Sequence, residues 1–237
     1  MHRHETALKP SKPILSVLTL TLDRPELLKQ AAQSIKYEPV EWVVVDGSRD
    51  SKSTFEAFNE VRQRFYHSIY VHVPPTPPLF PVGVARNIAL LLLTGDYCVI
   101  LDDDDEFLPE WPRAGVEFLE KKSEYSAVYA NTYLGNDQHQ IGEVHNPVSA
   151  EFLLERGNFL GTSAVVWRRD DSLQHEEKLW CCDPYDLWLQ IARMGRIGYL
   201  PVKAFINRAE RLPNSASVVY TCPECYATFR EEQKALL

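Results

Sequence analysis

Three short, mostly apolar segments, each ending in polar residues or followed by them, constrain the fold of this chain most strongly. They cover residues 14–21, 41–45 and 97–101, and apolar runs of this length that are rich in β-branched residues predict buried strands. A helix is predicted over residues 25–35, where a proline and an acidic residue stand in the first turn. Buried strands that alternate with helices are typical of parallel sheets. We therefore predict an α/β fold with a mostly parallel central sheet and helices on both faces.

Polar residues stand where these strands end. The first strand ends in Thr19 and Thr21, the second in Asp46, and the segment 97–101 runs into four consecutive aspartates, residues 102–105. Open parallel sheets bind their ligands beyond the carboxyl ends of the strands. Neighbouring aspartates repel one another, and Mg²⁺ or Mn²⁺, which prefer carboxylate oxygens, would relieve that repulsion. The alternative is a solvated acidic turn that caps the following helix.

Composition restricts the partners and the location of the protein. The formal net charge is −8 and the sequence pI is about 5.4, so nucleic acid is excluded as an expected partner because its phosphates would be repelled. A polyphosphate ligand would need a metal ion or an arginine beside it. No apolar run reaches the roughly 18 residues that span a bilayer, and we expect no transmembrane segment. The expected location is the cytoplasm, either free or in peripheral contact with the inner face of the membrane.

The chain shows neither an internal repeat nor a linker. We predict one domain over residues 14–237, preceded by a flexible leader at residues 1–13 that lacks the apolar core of a secretory signal. The five cysteines are odd in number and sparse, which argues against a disulfide framework. Cys222 and Cys225 have the spacing of half a zinc site, and the alternative is a pair of free thiols on a turn of the tail.

Seven motifs follow one another along the chain and are informative together. They are SVLT (16–19), RPELL (24–28), VVDGS (44–48), GVARN (83–87), LDDDD (101–105), NFLGTS (158–163) and DPYDLWL (183–189). In order and spacing they resemble the family-two glycosyltransferases, which have the GT-A fold. The resemblance covers residues 14–217. It implies a nucleotide-sugar-binding half at residues 14–109, an acceptor-binding half at residues 110–217 and a C-terminal tail at residues 218–237.

The resemblance implies roles for residues of the first half. Thr19 and Thr21 would border the nucleotide base, and Asp46 would accept a hydrogen bond from it. Arg86 would lie near the nucleotide or its phosphates, and Asp103 would belong to the same donor site. The donor would be a nucleotide-diphosphate sugar, with a UDP-sugar as the first choice.

The resemblance also implies a metal site. Asp102 would face the ribose or the metal, and Asp104 would be the main ligand of Mn²⁺ or Mg²⁺. Such an ion would bridge the diphosphate and stabilise its charge as the sugar leaves. The family often ends its site with Arg-x-His, whereas this chain has Arg208, Ala209 and Glu210. The third ligand is therefore open between Glu210 and none, and Arg208 could offset the added charge of Glu210.

The family inverts the anomeric centre, and a single displacement needs a general base for the acceptor hydroxyl. Relatives commonly have Glu-Asp at the start of the late helix, but this chain has Asp183 followed by Pro184. We predict Asp183 as the base and Asp186 as the alternative. Asp183 also fits a helix N-cap, and Asp186 also fits a first-turn charge. Trp180, in the preceding loop, is the candidate for stacking on an acceptor sugar.

Three functions are compatible with these features. The leading one is an inverting glycosyltransferase that moves a sugar to a glycan, polysaccharide or lipid-linked acceptor. A nucleotidyltransferase is a second, although such enzymes usually carry a glycine-rich loop after the first strand and residues 19–24 contain no glycine. The third is a non-catalytic nucleotide- or sugar-binding relative, which the unusual Pro184 and Glu210 would fit.

Overall fold

The computed structural model describes residues 14–74, 82–134, 139–141, 145–177, 184–208 and 223–235. The strands and helices in chain order are β1 (Leu15–Thr21), α1 (Pro25–Ser34), β2 (Val40–Asp46), α2 (Lys52–Val61), β3 (His67–His72), α3 (Val82–Leu92), β4 (Tyr97–Ile100), β5 (Asp105–Phe107), α4 (Arg113–Lys121), β6 (Tyr125–Leu134), β7 (His139–Ile141), α5 (Ala150–Arg156), β8 (Val165–Arg168), α6 (Tyr185–Met194), β9 (Arg196–Asn207) and α7 (Pro223–Lys234). Single 3-10 turns lie at Arg62–Arg64 and Thr162–Ala164.

One sheet organises the fold, with the strand order β3-β2-β1-β4-β8-β6-β9-β5 and with β7 paired to β6. The strands β3, β2, β1 and β4 are parallel neighbours. Beyond β4 the sheet is mixed, because β8 runs antiparallel to both β4 and β6, whereas β9 is parallel to β6. The predicted α/β fold is confirmed, and its continuous parallel part is the first four strands.

Helices cover both faces of this sheet, as predicted. Leu18 of β1 and Val43 of β2 pack on one face in a cluster with α3, α5 and α6. Their sequence neighbours Val17 and Trp42 point to the other face and pack with α1, α2 and α4. Successive side chains of a strand alternate between faces. A strand covered on both sides is therefore mostly apolar, which explains the apolar runs in the sequence, and its buried polar side chains are hydrogen-bonded, as Ser16 of β1 is to Glu41 of β2.

The second half of the chain places α6 against α5 and α7. The Tyr185 hydroxyl donates to the Leu153 carbonyl at 2.7 Å, and the Tyr185 ring lies edge-on to Phe229 with 5.7 Å between centroids. Tyr185 is fully buried, so the first turn of α6 is fixed in position. Among the helices that the structure describes, none has the length and apolar character needed to cross a membrane.

Candidate functional site

The carboxyl ends of β1, β2 and β4 meet at one edge of the sheet. Thr21 ends β1 and Asp46 ends β2, and the two are register partners. The strand β4 ends at Ile100, two residues before Asp102. Parallel strands share their direction, so the polar residues that follow them gather at one edge. The structure thus brings Thr21, Asp46 and the acidic run together.

Asp46 is fully buried at this edge and is held by three donors. The Ser48 amide and hydroxyl donate to Oδ1 at 2.8 and 2.5 Å, and the Tyr70 hydroxyl donates to Oδ2 at 2.5 Å. Burial, and then the hydrogen bond to Asp46, raise the pKa of Tyr70 far above its usual range. Tyr70 therefore stays protonated and fixes the orientation of the Asp46 carboxylate. His72 Nε2 donates to the Ser48 carbonyl at 2.8 Å and supports the same turn.

Thr19 and Thr21 lie on one strand but have different surroundings. The Thr19 hydroxyl is fully buried and accepts a hydrogen bond from Trp42 Nε1 at 3.1 Å. The structure therefore places Thr19 beneath the sheet edge, beside a core tryptophan. The Thr21 hydroxyl instead donates to Asp103 Oδ2 at 2.8 Å and connects β1 to the acidic run. A contact of Thr19 with a nucleotide base stays a prediction.

Asp102 has the most accessible carboxylate of the acidic run, with 31% of its side chain exposed. Its Oδ1 lies 3.6 Å from Nη2 of Arg86, which is itself 6% exposed. The Asp102 amide donates to Ser163 Oγ at 3.2 Å, which fixes the backbone where β4 ends. The structure therefore pairs the predicted arginine with the first aspartate at the mouth of the site.

Asp103 and Asp104 share one cationic partner, Arg24. Arg24 Nη1 lies 3.1 Å from Asp103 Oδ1 and 3.3 Å from Asp104 Oδ2. Burial raises the pKa of Asp103 to about 6, and Arg24 opposes that rise. Asp103 faces Thr21 and Arg24 and is 5% exposed. The structure thus gives Asp103 interior partners, and a direct contact with the donor stays a prediction.

Asp105 is the most buried of the four aspartates, at 1% exposure. Ser163 Oγ donates to its Oδ2 at 2.6 Å and Asn207 Nδ2 donates to its Oδ1 at 3.1 Å. Burial, together with the neighbouring aspartates, raises the pKa of Asp105 well above its usual range. Both carboxylate oxygens are engaged with residues from the second half of the chain, so Asp105 joins β5 to the rest of the sheet.

Arg24, Tyr70, Ser163 and Asn207 are among the residues of this site that have no individual role in the sequence-based prediction. Arg24 and Ser163 belong to the motifs at 24–28 and 158–163, so the sequence contained a signal for them. Tyr70 and Asn207 lie on strands β3 and β9, and nothing in the local pattern marks them. Their partners Asp46 and Asp105 are 24 and 102 residues away in sequence.

Asp186, the predicted alternative base, lies in the first turn of α6 and is 4% exposed. Its Oδ1 lies 3.0 Å from His175 Nδ1, and its Oδ2 accepts from the Glu176 amide at 2.7 Å. Arg208 pairs with Glu106 and donates to Gln30 at 2.8 Å. Several predicted features lie outside the described residues: the leader 1–13, Trp180, Asp183, Glu210 and Cys222. The side chain of Cys225 is also outside them.

The fold is that of solved glycosyltransferases. S. aureus TarS 1-349 in complex with UDP-GlcNAc aligns with a TM-score of 0.68 and 18% identity, over 90% of this chain and 63% of that chain. The mannosyltransferase PcManGT from Pyrobaculum calidifontis, in complex with GDP-Man and Mn²⁺, aligns with a TM-score of 0.61 and 16% identity, over 97% of this chain and 64% of that chain. The likeness defines the class of fold, which is GT-A.

The sequence comparison identifies the family. The family model described as Glycosyl transferase family 2 matches residues 16–170, well over half of the chain, and the chain belongs to this family. An uncharacterized glycosyltransferase of Methanocaldococcus jannaschii is 23% identical over 194 residues, which are 76% of this chain and 64% of the relative. The proposed colanic acid biosynthesis glycosyl transferase WcaA of Escherichia coli K12 is 24% identical over 200 residues, 76% of this chain and 67% of the relative. The chain thus spans less than two thirds of the length of the M. jannaschii relative.

Proposed function

We propose that this protein is an inverting glycosyltransferase that transfers a sugar from a nucleotide-diphosphate sugar to an acceptor hydroxyl, with a divalent cation at Asp102 and Asp104. The position of Asp102 carries the proposal. Its carboxylate is 31% exposed at the carboxyl edge of the parallel strands and lies beside Arg86. An accessible carboxylate next to a buried guanidinium offers one partner for a cation and one for a phosphate.

The donor class is supported by two solved structures with this fold. TarS 1-349 was solved with UDP-GlcNAc and PcManGT with GDP-Man and Mn²⁺. In the present chain, Asp46 is oriented by Ser48 and Tyr70 at the end of β2. An oriented carboxylate can accept a hydrogen bond from an N–H group of a nucleotide base. We propose a UDP-sugar as donor, with GDP-sugars as the next class to test.

The chemistry of the residues fits a hard divalent cation. No group of three or more metal-binding side chains occurs among the residues that the structure describes. Mg²⁺ is commonly held by one or two carboxylates together with substrate phosphates, and we propose Asp102 and Asp104 for this role. Asp103 and Asp105 are engaged with interior partners. When bound, the cation would neutralise charge on the diphosphate leaving group.

The chain's own residues would then orient the donor and accept a proton. Arg86 would contact the phosphates from the side of α3, and Asp46 would hold the base. Asp183 is proposed as the general base that removes the proton from the acceptor hydroxyl as the sugar is displaced. Trp180 is proposed to stack on the acceptor sugar.

The acceptor class is proposed from the relatives. WcaA is assigned to colanic acid biosynthesis, which favours a glycan or polysaccharide acceptor, either free or linked to a lipid. A cytoplasmic location, free or at the inner face of the membrane, is part of the same proposal. Transfer to such an acceptor would make this protein an enzyme of polysaccharide biosynthesis.

The test is a thermal-shift titration with UDP, GDP, dTDP and CDP, each with and without Mn²⁺. A ligand that binds only the folded state raises the melting temperature. We expect stabilisation by one nucleotide, UDP in the first place, that requires Mn²⁺ and is lost in Asp104→Ala. Asp170→Asn, in the turn after β8, is the matched control because it removes a carboxylate at the surface.

Turnover is then measured as UDP release from UDP-GlcNAc and other UDP-sugars with Mn²⁺. Nucleotide binding without release from any donor or acceptor would instead indicate a non-catalytic relative. No shift with any nucleotide would overturn the donor proposal. Release of pyrophosphate from a nucleoside triphosphate would identify a nucleotidyltransferase.

A further inference from the structure

Arg24 follows a turn with an unusual backbone conformation. Asp23 has a φ of 56°, in the left-handed region that residues other than glycine seldom adopt. Its amide donates to Ser48 Oγ at 2.8 Å, and Ser48 is fully buried and bonded to Asp46. A strained backbone of this kind persists where surrounding contacts hold it. The contact between Asp23 and Ser48 therefore fixes the turn from which the Arg24 side chain extends.

From this turn the Arg24 side chain reaches the acidic run. Its Nη1 lies 3.1 Å from Asp103 Oδ1 and 3.3 Å from Asp104 Oδ2. Asp103 also accepts from the Thr21 hydroxyl. The side chain of Asp104 is 12% exposed and that of Asp103 is 6% exposed, so Asp104 is the more accessible of the two. Arg24 thus places a positive charge at the carboxylate that is proposed to hold the metal ion.

The charges at this edge of the sheet are arranged in pairs. Arg24 lies beside Asp103 and Asp104, and Arg86 lies 3.6 Å from Asp102. A divalent cation that bound Asp104 alone would approach the Arg24 guanidinium, and like charges a few ångströms apart repel strongly where solvent screens them only in part. A nucleotide diphosphate brings several negative charges, which attract the guanidinium and the cation alike. Cation binding should therefore depend on the nucleotide.

We propose that Arg24 is the counter-cation of Asp104 in the nucleotide-free site and a phosphate-binding residue in the donor complex, so that the divalent cation binds together with the nucleotide. The inference rests on the proposed function. A guanidinium matches carboxylate and phosphate oxygens equally well. Oxygen ligands of one Mg²⁺ are about 3 Å apart, so a phosphate oxygen bound beside Asp104 would come within reach of Arg24. The change of partner keeps the charge balanced in both states.

The test is isothermal titration of Mn²⁺ into native protein, Arg24→Gln and Lys29→Gln, each without nucleotide and saturated with UDP. For the native protein we expect UDP to tighten Mn²⁺ binding roughly 100-fold. For Arg24→Gln this factor should be about tenfold smaller, because the repulsion in the nucleotide-free site is gone. Lys29→Gln removes a charge from the surface of α1, where it is paired with Glu26 and Glu60, and should keep the native factor within about twofold.

Titration of UDP measures the same coupling from the other side. Binding linkage is reciprocal, so Mn²⁺ must tighten UDP binding by the factor by which UDP tightens Mn²⁺ binding. In Arg24→Gln we expect UDP affinity to fall about tenfold with Mn²⁺ and to change less than about twofold without it. If Arg24→Gln kept the native coupling factor, Arg24 would be a fixed charge that opposes the cation in both states, and the proposal would be overturned.

A second pair of variants keeps the guanidinium and serves if Arg24→Gln does not fold. Asp23→Gly and Asp23→Ala remove the same carboxylate, but glycine adopts a positive φ freely whereas alanine does not. Mn²⁺ should bind nucleotide-free Asp23→Ala about 2- to 5-fold more tightly than Asp23→Gly, because the strained turn no longer holds Arg24 at Asp104. Equal Mn²⁺ affinities of the two variants would overturn the proposal.

These titrations do not depend on turnover. If UDP bound but no UDP-sugar released it, the proposed transfer reaction would fail while the coupling factors still decided the role of Arg24. If UDP-sugars were turned over and Arg24→Gln kept the native coupling factor, only the role of Arg24 would fail. Absence of UDP binding with and without Mn²⁺ would overturn both the proposed UDP-sugar donor and this inference.

Discussion

Arg24 Nη1 lies 3.3 Å from Oδ2 of Asp104, the aspartate proposed as the main metal ligand. The same nitrogen lies 3.1 Å from Asp103. The side chain of Arg24 is 20% exposed, so solvent screens this pair only in part. A divalent cation on Asp104 would therefore bind within a few ångströms of an existing positive charge.

Replacing this arginine should strengthen metal binding to the nucleotide-free protein. Arg24→Gln removes a cation close to the proposed metal ligands, and we expect Mn²⁺ to bind about tenfold more tightly, which is roughly 1.4 kcal/mol. Isothermal titration of Mn²⁺ measures the change. The matched control is Lys29→Gln, which removes a charge paired with Glu26 and Glu60 on the surface of α1. Equal or weaker Mn²⁺ binding by Arg24→Gln than by the control would contradict the prediction.

Asp103 should make stability depend on pH in a defined direction. Burial raises its pKa to about 6, so the folded state holds this proton more tightly than the unfolded chain does. Its protonation stabilises the fold at low pH, and this contribution is lost as pH rises from about 4 to about 6. The unfolding free energy lost over this range is at most about 3 kcal/mol.

Urea unfolding of the native protein and Asp103→Asn in metal-free buffer at several pH values measures this effect. The stability of the native protein minus that of Asp103→Asn should fall as pH rises through that window. Asp170→Asn is a control with the opposite expected sign. Hydrogen bonds from Ser172 lower the pKa of Asp170, so the stability of the native protein minus that of Asp170→Asn should rise with pH. The raised pKa of Asp103 would be refuted if the stability of the native protein minus that of Asp103→Asn stayed constant or increased as pH rises.

Ser163 should matter for the stability of the fold around the acidic run. Its hydroxyl donates to Asp105 and accepts from the Asp102 amide. Ser163→Ala leaves a buried carboxylate oxygen and an amide without this partner, and we expect a loss of about 1–3 kcal/mol in unfolding free energy. Urea unfolding measures the loss, and Ser172→Ala in the surface turn after β8 serves as the control. A cost no larger than that of Ser172→Ala would mean that Ser163 does not support the acidic run.

The Tyr70 hydroxyl should contribute to nucleotide binding through Asp46. Tyr70→Phe removes one of the hydrogen bonds that orient the Asp46 carboxylate, and we expect UDP affinity to fall roughly 2- to 10-fold, the equivalent of one net hydrogen bond. Titration of UDP with Mn²⁺ measures this. Tyr37→Phe is the control, because the Tyr37 ring stacks on Arg113 away from Asp46. UDP affinity equal to that of the control would show that Tyr70 is dispensable for donor recognition.

The first half of the fold was predictable because its signals are local. Strands β1, β2 and β4 are apolar runs, and α1 begins at a proline with an acidic residue in its first turn. The three-residue strand β5 gave no such signal. It starts at a buried aspartate, which is tolerated only because Ser163 and Asn207 donate to it from 58 and 102 residues away.

The candidate site was predictable in composition but not in detail. Four consecutive aspartates at a strand end marked its place. Which of them faces solvent depends on the turn after β4 and on partners such as Arg24, which is 79 residues from Asp103 in sequence. The partners of Asp186 could not be predicted either, because its contact with His175 depends on the relative positions of helix α6 and the preceding loop.

The pairing of β5 with β9 also bears on how such proteins can be recombined. Phe107 of β5 donates its amide to Ser34 at the end of α1, and Asp105 bonds to Asn207 of β9. A chimera joined at residue 109 would keep Asp105 and import a foreign β9 and a foreign Ser163. The part of the chain after residue 109 should therefore be exchangeable between relatives only where the incoming segment supplies a hydroxyl and an amide at the positions of Ser163 and Asn207.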